Sequence, residues 1–360
     1  MIIKYLELKN FRNYKNLRLD FDPGTTVFFG DNGQGKTNIL EAMYLCGTTK
    51  SHRGNKDHEM ILFQEDEAHI RMEVERRKIP HRIDMHLVRD RAKGVAIDSQ
   101  PIKRASELFG FASFVFFSPE DLNIIKKGPV ERRRFLDREI SQVSRFYLNT
   151  LSNYNKVVLQ RNKLLKEISF HPALEDTLDV WDDQMVLFGK KLLEERLKFT
   201  ALLNEEFGKC HQRISGGRET VFLKYEPDVT ADNFEEKLKY YRERDLKFRL
   251  SATGPHRDDF SIFVNGADIR KYGSQGQQRT AALSLKLSEI DLIRKLTKET
   301  PVLLLDDVLS ELDESRQKYI LNRIGDIQTF ITCTGAEEFL KRESKHFNMI
   351  RVTGGTAEKY

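Results

Sequence analysis

The first part of the chain alternates between apolar and polar positions over short stretches, a period that predicts β-strands. We expect strands at 2–8, 17–21, 26–29, 70–74, 83–88 and 113–117. A glycine-rich segment follows the third strand, and the spacing of apolar residues after it predicts a helix over 36–46. Residues 1–119 are therefore predicted to form sheets interrupted by one helix.

Helical spacing takes over after residue 120, where apolar residues recur every three or four positions. The pattern predicts long helices over 146–168 and 181–207 and a shorter one over 234–241. Strand-favouring residues return at 221–222 and 260–264, and the latter run ends at the turn Asn265-Gly266. We expect an α-helical arm domain at 120–245.

Strand and helix alternate in the last hundred residues, which is typical of a parallel sheet with right-handed crossovers. The predicted helices are 277–296, 314–324 and 337–342, and the predicted strands are 302–305 and 328–332. We therefore expect an α/β head built from residues 1–119 and 246–360, with the helical arm inserted between its two parts.

Composition describes a globular chain with a charged surface: of 360 residues, 39% are hydrophobic and 32% are charged. The apolar runs are too short for a bilayer span, and the amino terminus lacks a secretory pattern, so we expect a cytoplasmic protein. Three scattered cysteines favour neither disulfides nor zinc. A net charge of +5 permits a polyanionic partner without requiring one.

The strongest chemical signal is a phosphate-binding loop between the third strand and the first helix. Glycines allow its backbone N–H groups to surround a phosphate, Lys36 suits the β- and γ-phosphates, and the Thr37 hydroxyl suits Mg²⁺. The predicted ATP-binding residues are Gly30, Asp31, Asn32, Gly33, Gln34, Gly35, Lys36 and Thr37.

A second half-site is predicted where the apolar strand at 302–305 runs into Asp306 and Asp307. Asp306 suits the Mg²⁺ shell, and Asp307 suits the positioning of an attacking water, so we take both as catalytic candidates together with Lys36. On its own, an apolar strand that ends in acidic residues is weak evidence for such a site, because many such strands simply end at the solvent-exposed surface.

The run Ser274, Gln275, Gly276 and Gln277 resembles the signature motif of ATP-binding-cassette ATPases, whose serine binds the γ-phosphate held by the opposite subunit. Residues 310–313 resemble the D-loop of the same class. The resemblance implies that Ser274–Gln277 complete the nucleotide site of a second copy, and hence an ATP-dependent homodimer.

Six segments in order resemble the RecF family of SMC-type ATPases: 9–14, 30–37, 117–122, 254–259, 274–279 and 304–313. The resemblance implies an ATPase head split by an arm, ATP with Mg²⁺ as cofactors, and DNA binding in recombinational repair. It also implies RecR and RecO as partners in loading recombinase at gaps. A static ATP-dependent scaffold for repair partners is the alternative.

Four departures from the wider cassette pattern leave roles open. Asp307 stands where many relatives have glutamate, which predicts slow hydrolysis. Thr332 or Thr334 would replace the switch histidine, and residues 118–122 are a substitute for the Q-loop. Arg53 has two interpretations, a residue near the nucleotide and a solvated loop residue. His256 also has two, a residue near the nucleotide or the subunit interface and part of a turn with a local ion pair.

Basic residues concentrate early in the arm, with eleven Lys and Arg against three acids between 126 and 166, a net charge of +8. Such a run is typical of a sequence-independent phosphate contact. The candidate DNA contacts are Lys126, Lys127, Arg132, Arg133 and Arg134, and residues near Lys9 and Arg12 could add to them. The 236 residues between Thr37 and Ser274 are too many for a transporter subunit. The arm helices, at about 65 Å or less, are too short for a chromosome tether.

Overall fold

The computed structural model describes residues 1–54, 56–334 and 347–360. They form two compact units, one from residues 1–121 together with 293–360 and one from residues 122–292. The first unit is therefore assembled from both ends of the chain. The helix expected at 337–342 lies outside the described residues.

Each strand and helix predicted within the described residues has a counterpart, although the ends differ by several residues. The strands are β1 (Ile2–Phe11), β2 (Tyr14–Asp20), β3 (Thr25–Phe29), β4 (Glu67–Arg76), β5 (Ile79–Val88), β6 (Arg91–Ile97), β7 (Gln100–Pro101), β8 (Phe114–Phe117), β9 (Val221–Glu226), β10 (Asp259–Val264), β11 (Ala267–Asp268), β12 (Val302–Asp306), β13 (Thr329–Cys333), β14 (Phe347–Thr353) and β15 (Thr356–Lys359). The helices are α1 (Lys36–Thr48), α2 (Asn123–Lys126), α3 (Pro129–Val143), α4 (Arg145–Ile168), α5 (Leu178–Ile214), α6 (Phe234–Tyr240), α7 (Arg242–Phe248), α8 (Ile269–Tyr272), α9 (Gln275–Thr297) and α10 (Glu314–Arg323).

The first unit contains an antiparallel sheet with the strand order β2-β1-β4-β5-β6-β7. Along β4, buried Ala68, Ile70, Met72 and Val74 alternate with more exposed residues. One face of this sheet therefore packs in the core and the other faces solvent, as the sequence alternation predicts. The prediction missed β6, because Arg91, Lys93 and Gly94 interrupt its apolar pattern.

The other sheet of the first unit has the order β15-β14-β3-β13-β12-β8, and its pairs are parallel except for β14 with β15. All residues of β3, β12 and β13 are buried, as expected for parallel strands that are covered on both faces. Helix α1 contacts strands of both sheets and is buried almost all round. The predicted parallel α/β head is confirmed.

The second unit is mainly helical. Helices α4, with 24 residues, and α5, with 37, pack against each other and correspond to lengths of about 35 and 55 Å, shorter than the expected maximum. Strand β9 pairs with β10, and Phe260 of β10 and Leu285 of α9 lie in the same apolar core as Phe135 and Phe207. This long-range pairing extends the unit to residue 292, whereas the sequence-based division began the second part of the head at residue 246. No described helix is long and apolar enough to cross a bilayer.

Arg161 connects three helices inside the second unit. Its side chain is fully buried; Nε donates to Asp182 of α5, and Nη1 donates to Asp245 of α7, both at 2.6 Å. A second bond from Nη1 reaches the Ser251 hydroxyl at 2.9 Å. The guanidinium therefore compensates two carboxylates that are removed from water.

Replacing Arg161 with methionine should destabilise the second unit by about 3–5 kcal/mol, because it leaves the buried Asp245 without its guanidinium partner and leaves Asp182 paired with Arg242 alone. Urea unfolding followed by circular dichroism measures the change. Lys163→Met is the matched control on the same helix: its side chain is 71% exposed, so we expect less than about 0.5 kcal/mol. Equal unfolding midpoints for the two variants would contradict this role of Arg161.

Candidate nucleotide-binding site

The phosphate-binding loop lies between β3 and α1 and depends on glycines for its course. Gly30 and Gly35 have φ values of 147° and 113°, in the region that L side chains rarely adopt. A Cβ on Gly30 would lie 2.3 Å from the Val352 carbonyl oxygen, and one on Gly35 would lie 2.5 Å from the Asn13 side chain. The glycines of the motif are thus required by backbone shape and by close neighbours.

Lys36 is buried within the loop that it follows. Its Nζ donates hydrogen bonds to the carbonyl oxygens of Gly30 and Asp31, both at 2.8 Å. Asp31, Asn32 and Gly33 are exposed at the tip of the loop. An ammonium group held against the loop backbone is suited to meeting a phosphate bound by the same loop.

The loop meets the acidic strand end because β3, β13 and β12 are parallel neighbours, so that their carboxyl ends lie at one edge. The Thr37 hydroxyl donates to Asp306 Oδ1 at 2.7 Å, and the Thr332 hydroxyl donates to the same oxygen at 2.7 Å. The Asp307 amide donates to Thr332 Oγ1 at 3.0 Å. Of the two candidates for the switch position, Thr332 therefore lies in the site, while Thr334 is exposed.

Burial raises the pKa of Asp306 above its ordinary value, and the hydrogen bonds from Thr37 and Thr332 partly oppose this effect. The positive charge of Arg53 opposes it as well. Arg53 also donates to Asn38 Oδ1 at 3.4 Å, which places its side chain beside α1. These contacts favour the interpretation of Arg53 as a residue of the site over that of a solvated loop residue.

Asp307 has an unusual backbone and an unused oxygen. Its φ is 56°, in the left-handed region that is uncommon for residues other than glycine. Its Oδ1 is buried, and no residue that the structure describes hydrogen-bonds to it. Strain and an unsatisfied buried acceptor are both costly, and both are characteristic of functional positions.

The donor set fits Mg²⁺, which prefers oxygen ligands and is usually held by one or two protein groups together with phosphates and water. Thr37 and Asp306 present a hydroxyl and a carboxylate to one point, and Asp307 adds the unpaired oxygen beside them.

The hairpin turn between β1 and β2 also holds the loop, a role that the sequence motifs do not predict. Asn13 Nδ2 donates to the Gln34 carbonyl at 2.8 Å, and the Tyr14 hydroxyl donates to the Gly35 carbonyl at 3.0 Å. Asn38 Nδ2 donates to Asn13 Oδ1 at 2.9 Å. The only sequence signal was the position of Asn13 and Tyr14 in the family segment 9–14, because the contact joins separate elements.

Arg12, in the same turn, is paired inside the first unit. Its Nε and Nη2 each donate to the buried carboxylate of Glu41 in α1 at 2.8 Å. The structure thus does not support the expectation that Arg12 contributes to a DNA surface.

The signature segment caps α9 in the second unit. The Gln277 amide donates to the Ser274 hydroxyl oxygen at 3.2 Å, and the Ser274 amide donates to Gln277 Oε1 at 3.0 Å. This reciprocal pair is a capping box. Ser274, Gln275 and Gly276 are exposed at the amino terminus of a 23-residue helix, where backbone N–H groups and the helix dipole favour an anion.

Fewer residues of the basic run are exposed to a DNA phosphate than its net charge suggests. Arg132 is buried, and its Nε and Nη2 donate to the two carboxylate oxygens of Asp259 at 2.6 and 2.8 Å, so its assignment as a DNA contact is wrong. Arg133 is half-buried and donates to the Asp258 carbonyl at 2.7 Å. Lys126, Lys127 and Arg134 are exposed, and Arg134 pairs with Glu131.

His256 is part of the interior of the second unit. Its Nδ1 lies 2.8 Å from the Tyr154 hydroxyl, and its Nε2 lies 3.1 Å from the Ser251 carbonyl oxygen. Burial is the main cause that lowers the pKa of His256 to about 4. These contacts favour the structural role over a role in the nucleotide site.

Asp121, in the Q-loop substitute, accepts a hydrogen bond from the Ser118 amide at 2.8 Å and so stabilises its own turn.

Comparison with known proteins shows which family the chain resembles over almost its whole length. Residues 2–358 match the RecF/RecN/SMC N terminal domain. The DNA replication and repair protein RecF of Agathobacter rectalis is 58% identical over 99% of both chains, and that of Lachnoclostridium phytofermentans is 56% identical over 100% of both. The solved recombination mediator protein RecF-ATPrS in the RecFOR pathway superimposes with a TM-score of 0.92 at 35% identity, over 99% of this chain and 98% of that one. An SMC head at 17% identity, with a TM-score of 0.58, shares the fold.

A phosphate-binding loop after β3 and an acidic pair at the end of β12, two parallel strands separated by β13, in a head interrupted by a helical unit, define an ATPase of the SMC-head class. Within that class, the chain belongs to the RecF family.

The low pKa of His256 predicts a loss of stability in acid. The unfolded chain takes up this proton below about pH 6.5 while the folded chain resists it down to about pH 4, so stability falls with pH in that window. We expect the wild type to lose about 2 kcal/mol of unfolding free energy between pH 7 and pH 5 that His256→Gln does not lose. Denaturant unfolding at the two pH values measures it, with exposed His171→Gln as the control. Identical pH dependence in wild type and His256→Gln would contradict the prediction.

Proposed function

We propose that this protein is an ATP-dependent DNA-binding protein of recombinational repair and replication restart, which uses ATP as a switch for dimerisation. The observation that carries the proposal is the hydrogen bond between Thr37 and Asp306, which joins the two halves of an ATPase site from opposite ends of the chain. The names of the relatives, DNA replication and repair protein RecF, support the cellular role.

In the proposed site, residues 30–37 hold the phosphates of ATP, and Lys36 balances their charge. Thr37 and Asp306 are the residues that would hold Mg²⁺, which supplies charge neutralisation at the phosphates. A solved structure named RecF-ATP supports ATP as the nucleotide.

Asp307 is the proposed positioning group for the attacking water, with its unpaired Oδ1 as the acceptor. Its side chain is one methylene shorter than that of glutamate, so the carboxylate lies further from the water and hydrolysis is expected to be slow. Slow hydrolysis suits a timer that limits how long the ATP-bound state lasts.

The proposed dimer places Ser274–Gln277 of one copy against the ATP held by residues 30–37 of the other. The exposed start of α9 supports this arrangement, because the first N–H groups of a helix have no carbonyl partner within the helix.

Two substitutions separate nucleotide binding from dimerisation. Lys36→Ala should lower ATP affinity at least tenfold, since it removes the positive charge of the loop. Ser274→Ala should leave ATP affinity within about twofold of the wild type and abolish the ATP-dependent increase in sedimentation coefficient. Nucleotide titration and analytical ultracentrifugation measure the two properties. Normal dimerisation of Ser274→Ala with ATP would show that the assignment of the signature segment is wrong.

DNA binding is proposed to be independent of sequence and to involve Lys126 and Lys127, which are exposed at and beyond the end of α2. Arg133 and Arg134 are proposed as secondary contacts. Phosphate contacts of this kind release counterions, so the affinity should fall with salt. RecR and RecO are the proposed protein partners, supported by the RecFOR pathway that the solved relatives are named for.

DNA affinity should be higher with ATP than with ADP or without nucleotide. Replacing both Lys126 and Lys127 with alanine should weaken binding and reduce the slope of log affinity against log salt by about two. Fluorescence anisotropy with gapped, duplex and single-stranded DNA measures these effects. The matched control is the double variant Lys103→Ala/Arg104→Ala, which removes two consecutive exposed basic residues of the first unit. Equal affinities in all three nucleotide states would refute the coupling.

The second candidate is a static scaffold in which ATP only assembles the complex on gapped DNA. The short side chain of Asp307 favours it, because a slow site could serve assembly without turnover. Single-turnover hydrolysis compared with the rate of partner release separates the two functions: matching rates support the switch, and release without hydrolysis supports the scaffold.

A further inference from the structure

The solvent face of the antiparallel sheet carries two histidines and a glutamate that none of the nucleotide chemistry uses. His69 of β4 and His86 of β5 are directly opposite each other in the antiparallel register, and Glu67 precedes His69 by two residues on the same face. The side chains are 33–51% exposed, so the group is accessible from solvent.

The three side chains converge on one another. His86 Nε2 lies 2.7 Å from Glu67 Oε2, and His69 Nε2 lies 3.5 Å from Glu67 Oε1. The two imidazole rings are nearly parallel, with centroids 4.2 Å apart. One ligand atom from each residue lies within 4.8 Å of the others.

These distances are close to those of a metal shell. Ligand atoms at about 2.0–2.1 Å from a tetrahedral Zn²⁺ are roughly 3.4 Å apart, so small rotations of the imidazole rings would bring all three into coordination. Two imidazoles with one carboxylate form a common zinc ligand set, with a fourth position left for water.

The surroundings leave room for an ion. The residue that pairs with His86 on its other side is Gly94 of β6, which has no side chain to cover the imidazole. On β1, the exposed Lys9 lies opposite His69 in the register and adds a positive charge beside the group. Further along this face, Arg71 and Asp84 bind each other at 2.7 Å and so do not compete for Glu67.

We propose that Glu67, His69 and His86 form a binding site for a divalent transition metal ion of the zinc type, which links β4 to β5. All three ligands lie on the antiparallel sheet, and none of them is a residue of the proposed nucleotide site. Metal binding can therefore be measured without ATP. A bound ion would stabilise the sheet whose β1 strand leads into the turn that holds the phosphate-binding loop.

The test is a zinc titration of the chelator-treated, nucleotide-free full chain against a chromogenic chelator. We expect one Zn²⁺ per chain, and at least tenfold weaker binding in His69→Gln and in His86→Gln. His81→Gln is the matched control: His81 lies on the same sheet and contacts Asp98 at 2.9 Å. It should bind zinc as the wild type does.

Thermal unfolding distinguishes a loss of zinc ligands from poor folding of a variant. Without zinc, the histidine variants should unfold near the wild-type temperature; zinc should raise the unfolding temperature of the wild type and of His81→Gln only. Absence of zinc binding by the wild type would overturn the proposal. So would equal zinc affinity of the wild type and the double variant His69→Gln/His86→Gln, since the ion would then bind elsewhere, for example at Asp306.

Discussion

The parallel pairing of β3, β13 and β12 is the constraint on which the site depends. It brings Thr37 and Asp306, which are 269 positions apart, within 2.7 Å of each other, and it places Thr332 opposite Asp306 in the register. The same sheet explains how a large insertion is tolerated. Strand β8, which precedes the helical unit, pairs directly with β12, which follows it, so the chain leaves and re-enters the sheet at neighbouring positions. The pairing of β8 with β12 can therefore form whatever length of chain connects the two strands.

The carboxyl ends of β3 and β12 concentrate features that are uncommon in a purely structural region. Gly30 and Gly35 adopt positive φ against close neighbours, Asp307 does so without being glycine, and Lys36 and Asp306 bring charged groups into a buried setting. Local hydrogen bonds offset the cost of burying the charges, because Lys36 donates to the loop carbonyls and Thr37 and Thr332 donate to Asp306. The surrounding strands, which are apolar and fully buried, provide the stability that such a site requires.

Charge has two different roles in this chain, and the sequence does not distinguish them. Arg132 and Arg161 contribute to the basic run, yet both are buried against carboxylates that lie 21 to 127 positions away. Lys126 and Lys127 carry the same formal charge and are exposed. A charge sum over a segment counts all four alike, because the compensating acids come from β10, α5 and α7. Only the exposed members remain suitable for a polyanion. His256 is a similar case, since its turn and neighbouring charges suggested chemistry, whereas its contacts with Tyr154 and Ser251 are structural.

The sequence by itself determined the phosphate-binding loop, the acidic strand end, the capped start of α9 and most of the strands and helices, because each is encoded by neighbouring residues. The parallel α/β class followed from their order. Only the tertiary structure decided that Asn13 and Tyr14 hold the loop, that Thr332 rather than Thr334 contacts Asp306, that β10 and most of α9 pack with the helical unit, and that His69 and His86 face each other. These depend on the register of strands and on helix packing between residues far apart in the chain, which local pattern does not specify.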